Sequence, residues 1–253
     1  MTLQFRKMHG LGNDFVIVDN RDFSHAFTAD QIRLIAHRHF GVGCDQFIVL
    51  EPSAKADVFM RIYNPDASEA GTCGNATRCV AHLLERSECT IETVSGILPC
   101  ERQPDGQITV DMGAPRSIED ITVDSRAATA VDMGNPHCIF FVDDLNTVKV
   151  EAAGHLVEFH PQFPNRTNVE FVQILAPDKI RMRVWERGAG VTLACGSGAC
   201  ATIVAAASKK LSNRKAELLL DGGSLFLDWR DGDGHILMTG PAAYIFDGTL
   251  KAL

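Results

Sequence analysis

One feature constrains this chain more than any other: it contains a second copy of part of itself. Met60–Asn75 reads MRIYNPDASEAGTCGN, Met182–Ser197 reads MRVWERGAGVTLACGS, and the two align without a gap at an offset of 122 residues (182 minus 60). Met, Arg, one Ala, Cys and Gly are identical, while Ile/Val, Tyr/Trp and Asn/Ser are conservative pairs. Chance supplies about one identity over such a length, so the match reads as a true internal repeat. The likeness extends to both sides. NDFVIVD (Asn13–Asp19) resembles PHCIFFVD (Pro136–Asp143), and DGQITVDMGAP (Asp105–Pro115) resembles DGHILMTGPA (Asp233–Ala242). One repeat this long means two similar domains rather than a solenoid. The seam falls near Pro115–Asp120. The expected domains are therefore 1–116 and 117–253, with the last strand free to pack on the first domain.

Each half reads as short strands around helix. FVIVD, FIVL (Phe47–Leu50), VFMRIY (Val58–Tyr63), TIETVSG and QITVDM are β-branched or alternating runs bounded by turn residues. A helix is expected at Asp30–His39, with Ile32, Leu34, Ile35 and Ala36 apolar. Another is expected just after Cys73, where Ala76, Val80, Leu83 and Leu84 keep the spacing of a buried face. Its counterpart after Cys195 carries Ala199, Ile203, Val204, Ala206 and Ala207. That helix is apolar nearly all round, which predicts burial on every side. The expected fold is thus α+β: two pseudo-symmetric domains, each a mostly antiparallel sheet or barrel around a central helix.

The repeat places Cys73 and Cys195 at equivalent points, where strand-like text gives way to helix-like text. The first turn of a helix has unpaired N–H groups and the positive end of its dipole. A thiolate there is expected to have a lowered pKa. The N–H groups of Gly74-Asn75 and Gly196-Ser197 are equally suited to cradle a carboxylate. Two such thiols on opposite faces of one carbon suit inversion of a stereocentre. One thiolate removes a proton, and the other thiol returns one from the far side. Carboxylate oxygens bound at the helix ends would stabilise the developing charge. Either cysteine alone is an ordinary structural position; both in register make the pair catalytic candidates.

Composition narrows the alternatives. The 253 residues carry a formal net charge of -8, without the basic patch a nucleic-acid surface needs. The first residues contain charges and glycines rather than a signal peptide's apolar core, and no run approaches the ~18 apolar residues of a membrane span. These observations predict a cytoplasmic protein with a small-molecule substrate, no nucleic acid and no membrane. The eight cysteines contain no C-x-x-C, which argues against a zinc knuckle or a thioredoxin-type motif. Cys44, Cys89, Cys100 and Cys138 read as small buried apolar residues. A Cys73–Cys195 disulfide is disfavoured in a reducing compartment, and the spacings Cys73/Cys79 and Cys195/Cys200 do not suit a metal site.

HGLGNDFVIVD, GCDQ, NPDASEAGTCGNATRC, MGNPH, RTNVEFVQ and ERGAGVTLACGSGAC occur in an order and spacing that resemble the diaminopimelate epimerase family over almost the whole chain. The resemblance implies interconversion of LL- and meso-diaminopimelate by two thiols, without pyridoxal phosphate or metal. It also implies a homodimer and an active site that closes between two domains. Carried over by position, Cys73 and Cys195 resemble the thiolate/thiol pair. Gly74, Asn75, Gly196 and Ser197 resemble the donors to the reacting carboxylate, with Asn13 and Gln46 near the reacting centre. Asn64, Asn168 and Arg187 resemble the groups that hold the distal end, Arg187 pairing its carboxylate. The backbone carbonyls of Glu186 and Arg187 would accept from the distal ammonium. Asn135 and His137 would line the same site, and His137 or the Glu186 carboxylate would help set the thiol protonation states.

Read without the resemblance, Asn13 and Asn64 suit turns, Arg187 suits a surface salt bridge and His137 suits a structural role. The chain also departs from the family pattern. Val191 stands where the family carries a glutamate, although its repeat partner Glu69 is acidic (191 minus 122). Ala76 and Thr77 replace smaller first-turn residues, and Pro65 stiffens the NPDASE loop. Three other readings compete. The first is a racemase of the same fold acting on histidine or a diamino acid, against which Arg187 argues. The second is a non-catalytic amino-acid-binding paralogue. The third is a relative of trans-3-hydroxyproline dehydratase, which usually lacks one of the two cysteines.

Overall fold

The computed structural model describes residues 2–251. The chain forms two compact units, one of residues 2–110 with 241–251 and the other of residues 111–240. Met1, 252 and 253, at the ends of the expected domains, lie outside the described residues. The boundary sits six residues before the expected one at 116/117. Met112 N donates to Ile236 O, Ile236 N to Gly113 O and Arg116 N to Asp132 O, so 112–116 are tied into the second unit.

The first unit runs β1 (Leu3–Gly10), β2 (Asn13–Asp19), α1 (Ala29–Ala36), β3 (Gln46–Glu51), β4 (Val58–Tyr63), the short β5 (Glu69–Ala70), α2 (Gly74–Leu84), β6 (Glu88–Thr93), β7 (Gly96–Arg102) and β8 (Ile108–Asp111). The second runs β9 (Ser117–Val123), β10 (Arg126–Asp132), β11 (Pro136–Phe141), α3 (Val150–Glu158), β12 (Asn168–Ala176), β13 (Lys179–Glu186), β14 (Gly190–Thr192), α4 (Gly196–Ser208), β15 (Lys215–Leu220), β16 (Gly223–Trp229) and β17 (Ile236–Gly240). The last strand, β18 (Ala243–Leu250), pairs antiparallel with β1 and so belongs to the first unit.

The repeat is exact at the level of pairing. The first unit has the order β18-β1-β2-β3-β4-β6-β7-β8 and the second β9-β10-β11-β12-β13-β15-β16-β17. The parallel pairs fall at matching places: β2/β3 and β4/β6 in one unit, β11/β12 and β13/β15 in the other. The rest is antiparallel, as expected of this α+β class.

Both faces of the central strands are covered. Phe15, Val16, Ile17 and Val18 of β2 are all buried, which is why that strand reads as a continuous apolar run instead of an alternation. Ile32, Ile35 and Ala36 of α1 pack with Val16, Val18, Phe47 and Val49. A Thr28–Gln31 capping box starts α1. The helix ends at Ala36, short of the expected His39, because the returning chain takes its last carbonyls. Val42 and Gly43 donate to Ile35 O, and Cys44 donates to Ala36 O. Leu34 lies off the buried face and is exposed.

The second helix of each unit is the central one. α4 packs against β10 through β13 and β15 through β17, and its residues from Gly198 to Ala206 are all buried. The all-round apolar sequence foretold this. α2 packs against β1, β6 and β7. Ala76 and Val80 are buried as expected, but Leu83 and Leu84 are only half-buried, and Arg78 is buried instead. The sequence reading provided no helix at 150–158. The buried residues of α3 are Val150, Gly154, Val157 and the carboxylate Glu158 while Leu156 is exposed, too sparse an apolar pattern to show as a periodicity.

Candidate active site

Each unit presents one cysteine at the start of its central helix, with extended backbone (φ -151° at Cys73, φ -124° at Cys195). Each strand-to-helix turn leaves first-turn N–H groups that no helix can satisfy internally; the Cys195 thiol accepts from one of them, Gly198 N, whereas the Cys73 side chain makes no such cap bond.

In the first unit, Cys73 Sγ lies 3.8 Å from Asn13 Oδ1. A directional polar chain fixes that amide. Arg78, fully buried, donates from Nη2 to Asn75 Oδ1 at 2.9 Å and from Nε to Pro241 O at 3.1 Å. A guanidinium only donates, so Asn75 must turn its Nδ2 toward Asn13 Oδ1, 3.1 Å away. Asn13 Nδ2 in turn donates to Asp45 Oδ2 at 3.0 Å. Asp14 anchors the surrounding loop through Lys7, Arg38 and the Asp45 amide. Burial works against ionisation there, but the hydrogen bonds and charges of Arg38 and Lys7 win and hold the Asp14 carboxyl at a pKa of about 2. Gln46 Nε2 donates to Asn64 Oδ1 at 3.1 Å, and Gln46 Oε1 is buried with no hydrogen-bond partner among the described residues. Asn64 also closes the 64–68 turn by accepting from Ala67 N and donating to Ser68 O.

In the second unit, Cys195 Sγ accepts from Gly198 N at 3.4 Å and lies 3.6 Å from Ser197 Oγ. The Asn135 amide contacts Ser197 Oγ through Nδ2 at 3.2 Å and His137 Nε2 through Oδ1 at 3.1 Å. His137 Nδ1 lies 2.6 Å from Glu170 Oε1, both side chains being wholly buried. Glu186 bonds Thr192 and the Cys195 thiol. Burial pushes the Glu186 carboxyl above its usual range.

The expected lowering of the thiol pKa is not what the geometry of Cys195 gives. Burial raises it well above 9.0, and the charges of Glu186 and Glu170 add to that; the Gly198 N–H and Ser197 pull the other way without prevailing. A helix end stabilises a thiolate by at most ~2 kcal/mol in partly buried sites, whereas desolvating an anion costs more.

Of the distal candidates, Asn168, Glu186 and Arg187 gather around the turn after β13, while Asn64 lies in the first unit beside Gln46. Asn168 Oδ1 accepts from Arg187 N at 3.0 Å, and Asn168 Nδ2 donates to Pro136 O at 2.9 Å. Asn168 therefore holds the Arg187 turn to β11, with both ends of its amide engaged. The Glu186 carbonyl accepts from Ala189 N within that turn. The Arg187 side chain is exposed and donates to Asn165 O at 3.3 Å; among the described residues no carboxylate pairs with it. Glu158, buried, fixes the same turn by accepting from Gly188 N at 3.0 Å and Trp185 Nε1 at 2.6 Å.

Several residues of these networks escaped the sequence reading, among them Asp14, Asp45, Arg78, Glu158 and Glu170. Glu170 carried the clearest signal, a lone carboxylate inside the apolar run Val169–Val172. The departures are accommodated locally. Val191 sits opposite Trp185 as Glu69 sits opposite Tyr63. Glu69 pairs with Arg61, but the equivalent Arg183 pairs with Asp221, so losing a carboxylate at 191 strands no charge. Thr77 turns its hydroxyl back onto Cys73 O at 2.9 Å. Cys44, Cys89, Cys100 and Cys138 are buried free thiols. Among the described residues no group of three or more His, Cys, Asp or Glu is placed to hold a metal, and no helix is long and apolar enough to cross a membrane.

Comparisons with known proteins identify the family and the fold. The diaminopimelate epimerase family model matches residues 5–118 and 129–245, one block per repeat. A diaminopimelate epimerase of Rhodospirillum centenum is 52% identical over 99% of this chain and 93% of its own length, and one of Acidiphilium cryptum is 50% identical over 98% and 96%. Among solved structures, a PhzF-family phenazine biosynthesis protein of Bacillus anthracis superposes with a TM-score of 0.77 at 18% identity, covering 100% of both chains. A hydroxyproline epimerase of Agrobacterium vitis gives 0.73 at 16%, covering 98% of this chain and 92% of its own. Those two likenesses speak to the fold alone. A model that spans both repeats, and relatives alike over the full length, place this chain in the diaminopimelate epimerase family.

Proposed function

We propose that the protein interconverts LL- and meso-diaminopimelate, serving lysine biosynthesis and the supply of peptidoglycan precursors, by proton transfer at the α-carbon through Cys73 and Cys195. The carrying observation is the equivalence of the two thiols. Each is the N-cap of the central helix of one repeat, beside first-turn N–H groups suited to a carboxylate. One sulfur, as thiolate, takes the α-proton; the other, as thiol, delivers a proton to the opposite face. Gly74, Asn75, Gly196 and Ser197 hold the reacting carboxylate, so that charge developing on it meets N–H donors.

Asn13 and Gln46 border the reacting centre, and the buried Gln46 Oε1 is an acceptor suited to the α-ammonium. Arg187 supplies the guanidinium for the distal carboxylate. Asn64, Asn168 and the Glu186 and Arg187 carbonyls shape that end, and Asn135, His137 and Glu186 set the state of Cys195. The reaction needs neither pyridoxal phosphate nor metal, and the enzyme works as a cytoplasmic homodimer. Sedimentation at equilibrium tests the dimer; a monomer mass would remove it.

In D2O the enzyme is expected to place deuterium at the α-carbon of both diaminopimelate isomers. Deuterium entering histidine or lysine but never diaminopimelate overturns the substrate. Cys73→Ala and Cys195→Ala should each abolish epimerisation, and an active single variant overturns the two-thiol route.

A further inference from the structure

Glu170 has no role in the reading above, yet it occupies an unusual place. Its side chain is wholly buried, one oxygen lies 2.6 Å from His137 Nδ1, and the other has no hydrogen-bond partner among the described residues. It also lies under the first turn of the catalytic helix. A Cβ added at Gly198 would come within 2.6 Å of Glu170 Oε1 and 3.3 Å of Cys195 Sγ. Burying a lone carboxylate beside a thiol is costly, and among the described residues the ring of His137 is the group placed against it to offset that cost.

The contacts from Glu170 onward form a chain with a direction. Glu170 as carboxylate only accepts, so His137 Nδ1 donates to it. With Asn135 placed as described, both ring nitrogens of His137 face oxygen acceptors, and the ring is an imidazolium. Asn135 then donates to Ser197 Oγ, leaving the Ser197 hydroxyl hydrogen to donate to Cys195 Sγ. Gly198 N–H donates to the same sulfur, and the whole arrangement suits a thiolate. Turning the Asn135 amide over reverses the bonds between His137 and Ser197. Asn135 Nδ2 then donates to a neutral Nε2, its Oδ1 accepts from Ser197, and Cys195 is a thiol whose one hydrogen goes either to Ser197 Oγ or to the Glu186 carboxylate. The two arrangements hold the same number of protons, one of which sits either on His137 Nε2 or on Cys195 Sγ.

We propose that Glu170 is a positioning residue which, by stabilising the His137 imidazolium, drives the Asn135–Ser197 chain toward donating to Cys195 and so makes its thiolate accessible. This rests on the two-thiol reading and adds a residue that acts on one thiol alone. The repeat counterpart of Glu170 is Ile48 (170 minus 122), and that of His137 is Phe15 (137 minus 122), since His137 pairs with Asn168 as Phe15 pairs with Gln46. The titratable groups facing Cys195 are Glu186 from β13 and Glu170 from β12, with His137 of β11 behind Glu170.

The test is the pH dependence of Cys195 alkylation by iodoacetamide, read by mass spectrometry of the Cys195 peptide, beside the pH profile of kcat/KM. The charge of Glu170 acting directly on Cys195 raises the thiol pKa, so losing that charge alone would lower the alkylation midpoint. Loss of the imidazolium must outweigh this, so that in Glu170→Gln the midpoint rises by about one pH unit, a ten-fold loss of thiolate at a given pH. kcat/KM should fall by the same factor in both directions, since the overall equilibrium constant is fixed. Glu170→Asp should recover part of the shift. Asn135→Ala, at a half-buried position, breaks the chain while leaving Glu170 against His137, and should raise the midpoint likewise. A midpoint unmoved or lowered in Glu170→Gln overturns the proposal, even if its melting temperature falls. If that variant does not fold, an unmoved midpoint in Asn135→Ala does the same. Activity in Cys195→Ala would remove the two-thiol reading itself, a separate failure.

Discussion

Cys73 and Cys195 occupy the same place in their repeats but meet different surroundings. Asn13 Oδ1, locked by Arg78 and Asn75, offers Cys73 an acceptor. Cys195 meets donors from Gly198 and Ser197, and the charges of two carboxylates. Because burial and those carboxylates raise the Cys195 pKa, its alkylation in substrate-free enzyme should be slow at pH 7 and should climb through the range above 9.0. A fast reaction at neutral pH, measured on the Cys195 peptide, would contradict the raised value. Arg187 is exposed and its guanidinium contacts only a carbonyl. Arg187→Met should therefore raise KM for diaminopimelate by about 30-fold or more, equivalent to about 2 kcal/mol, with an unchanged melting temperature. An unaltered KM would take Arg187 out of the distal site.

At the scale of elements, the start of α4 tolerates no side chain at position 198. Gly198→Ala drives a methyl into Glu170 Oε1. It should cost about 1–3 kcal/mol of stability and most of the activity, as read by thermal melting and turnover. The loop joining β2, α1 and β3 hangs on Asp14. Its pKa of about 2 lies below the ordinary 3.8, so its contribution is present above pH 3.8 and is lost as pH falls toward 2. That contribution is about 2 kcal/mol. Asp14→Asn should flatten this acid limb of the stability curve, and denaturant titration between pH 5 and 2 measures it. Central elements were legible in the sequence because an unbroken apolar composition can only be buried, as in α4. The end of α1 and the whole of α3 were not. The first is set by backbone bonds from residues 42–44, the second by a sparse set of buried residues, two valines and a glycine beside the carboxylate Glu158.

For the molecule as a whole, the repeat provides two runs of strands paired in matching order, and the ends of the chain complete the first of them. β1 is flanked by β2 and β18, Phe5 packs edge-on against Phe246 with ring centres 6.1 Å apart, and Gly248 lies against the Phe5 ring. A chain ending at Gly240 would strip β18 from β1 and bare Leu3 and Phe5. It should lose about 3 kcal/mol or more from the first unit. A truncated chain that melts like the full one would show that β18 is dispensable.

The sequence by itself determined the duplication, the α+β class, the buried central helices and the equivalent positions of Cys73 and Cys195 in the two repeats. These are properties of local pattern and register, written along the chain. It also carried the distal candidates, though only as a resemblance. Tertiary structure alone decided the rest. Burial reversed the expected effect of the helix end on Cys195, Asn168 became the brace of the Arg187 turn, and Asp221 took over the arginine that Val191 no longer faces. Arg78, Glu158 and Glu170 became the fixed points of the polar networks. Each of those outcomes depends on the desolvation of a charge or the direction of a hydrogen bond between residues far apart in sequence, and neither quantity exists until the chain has folded.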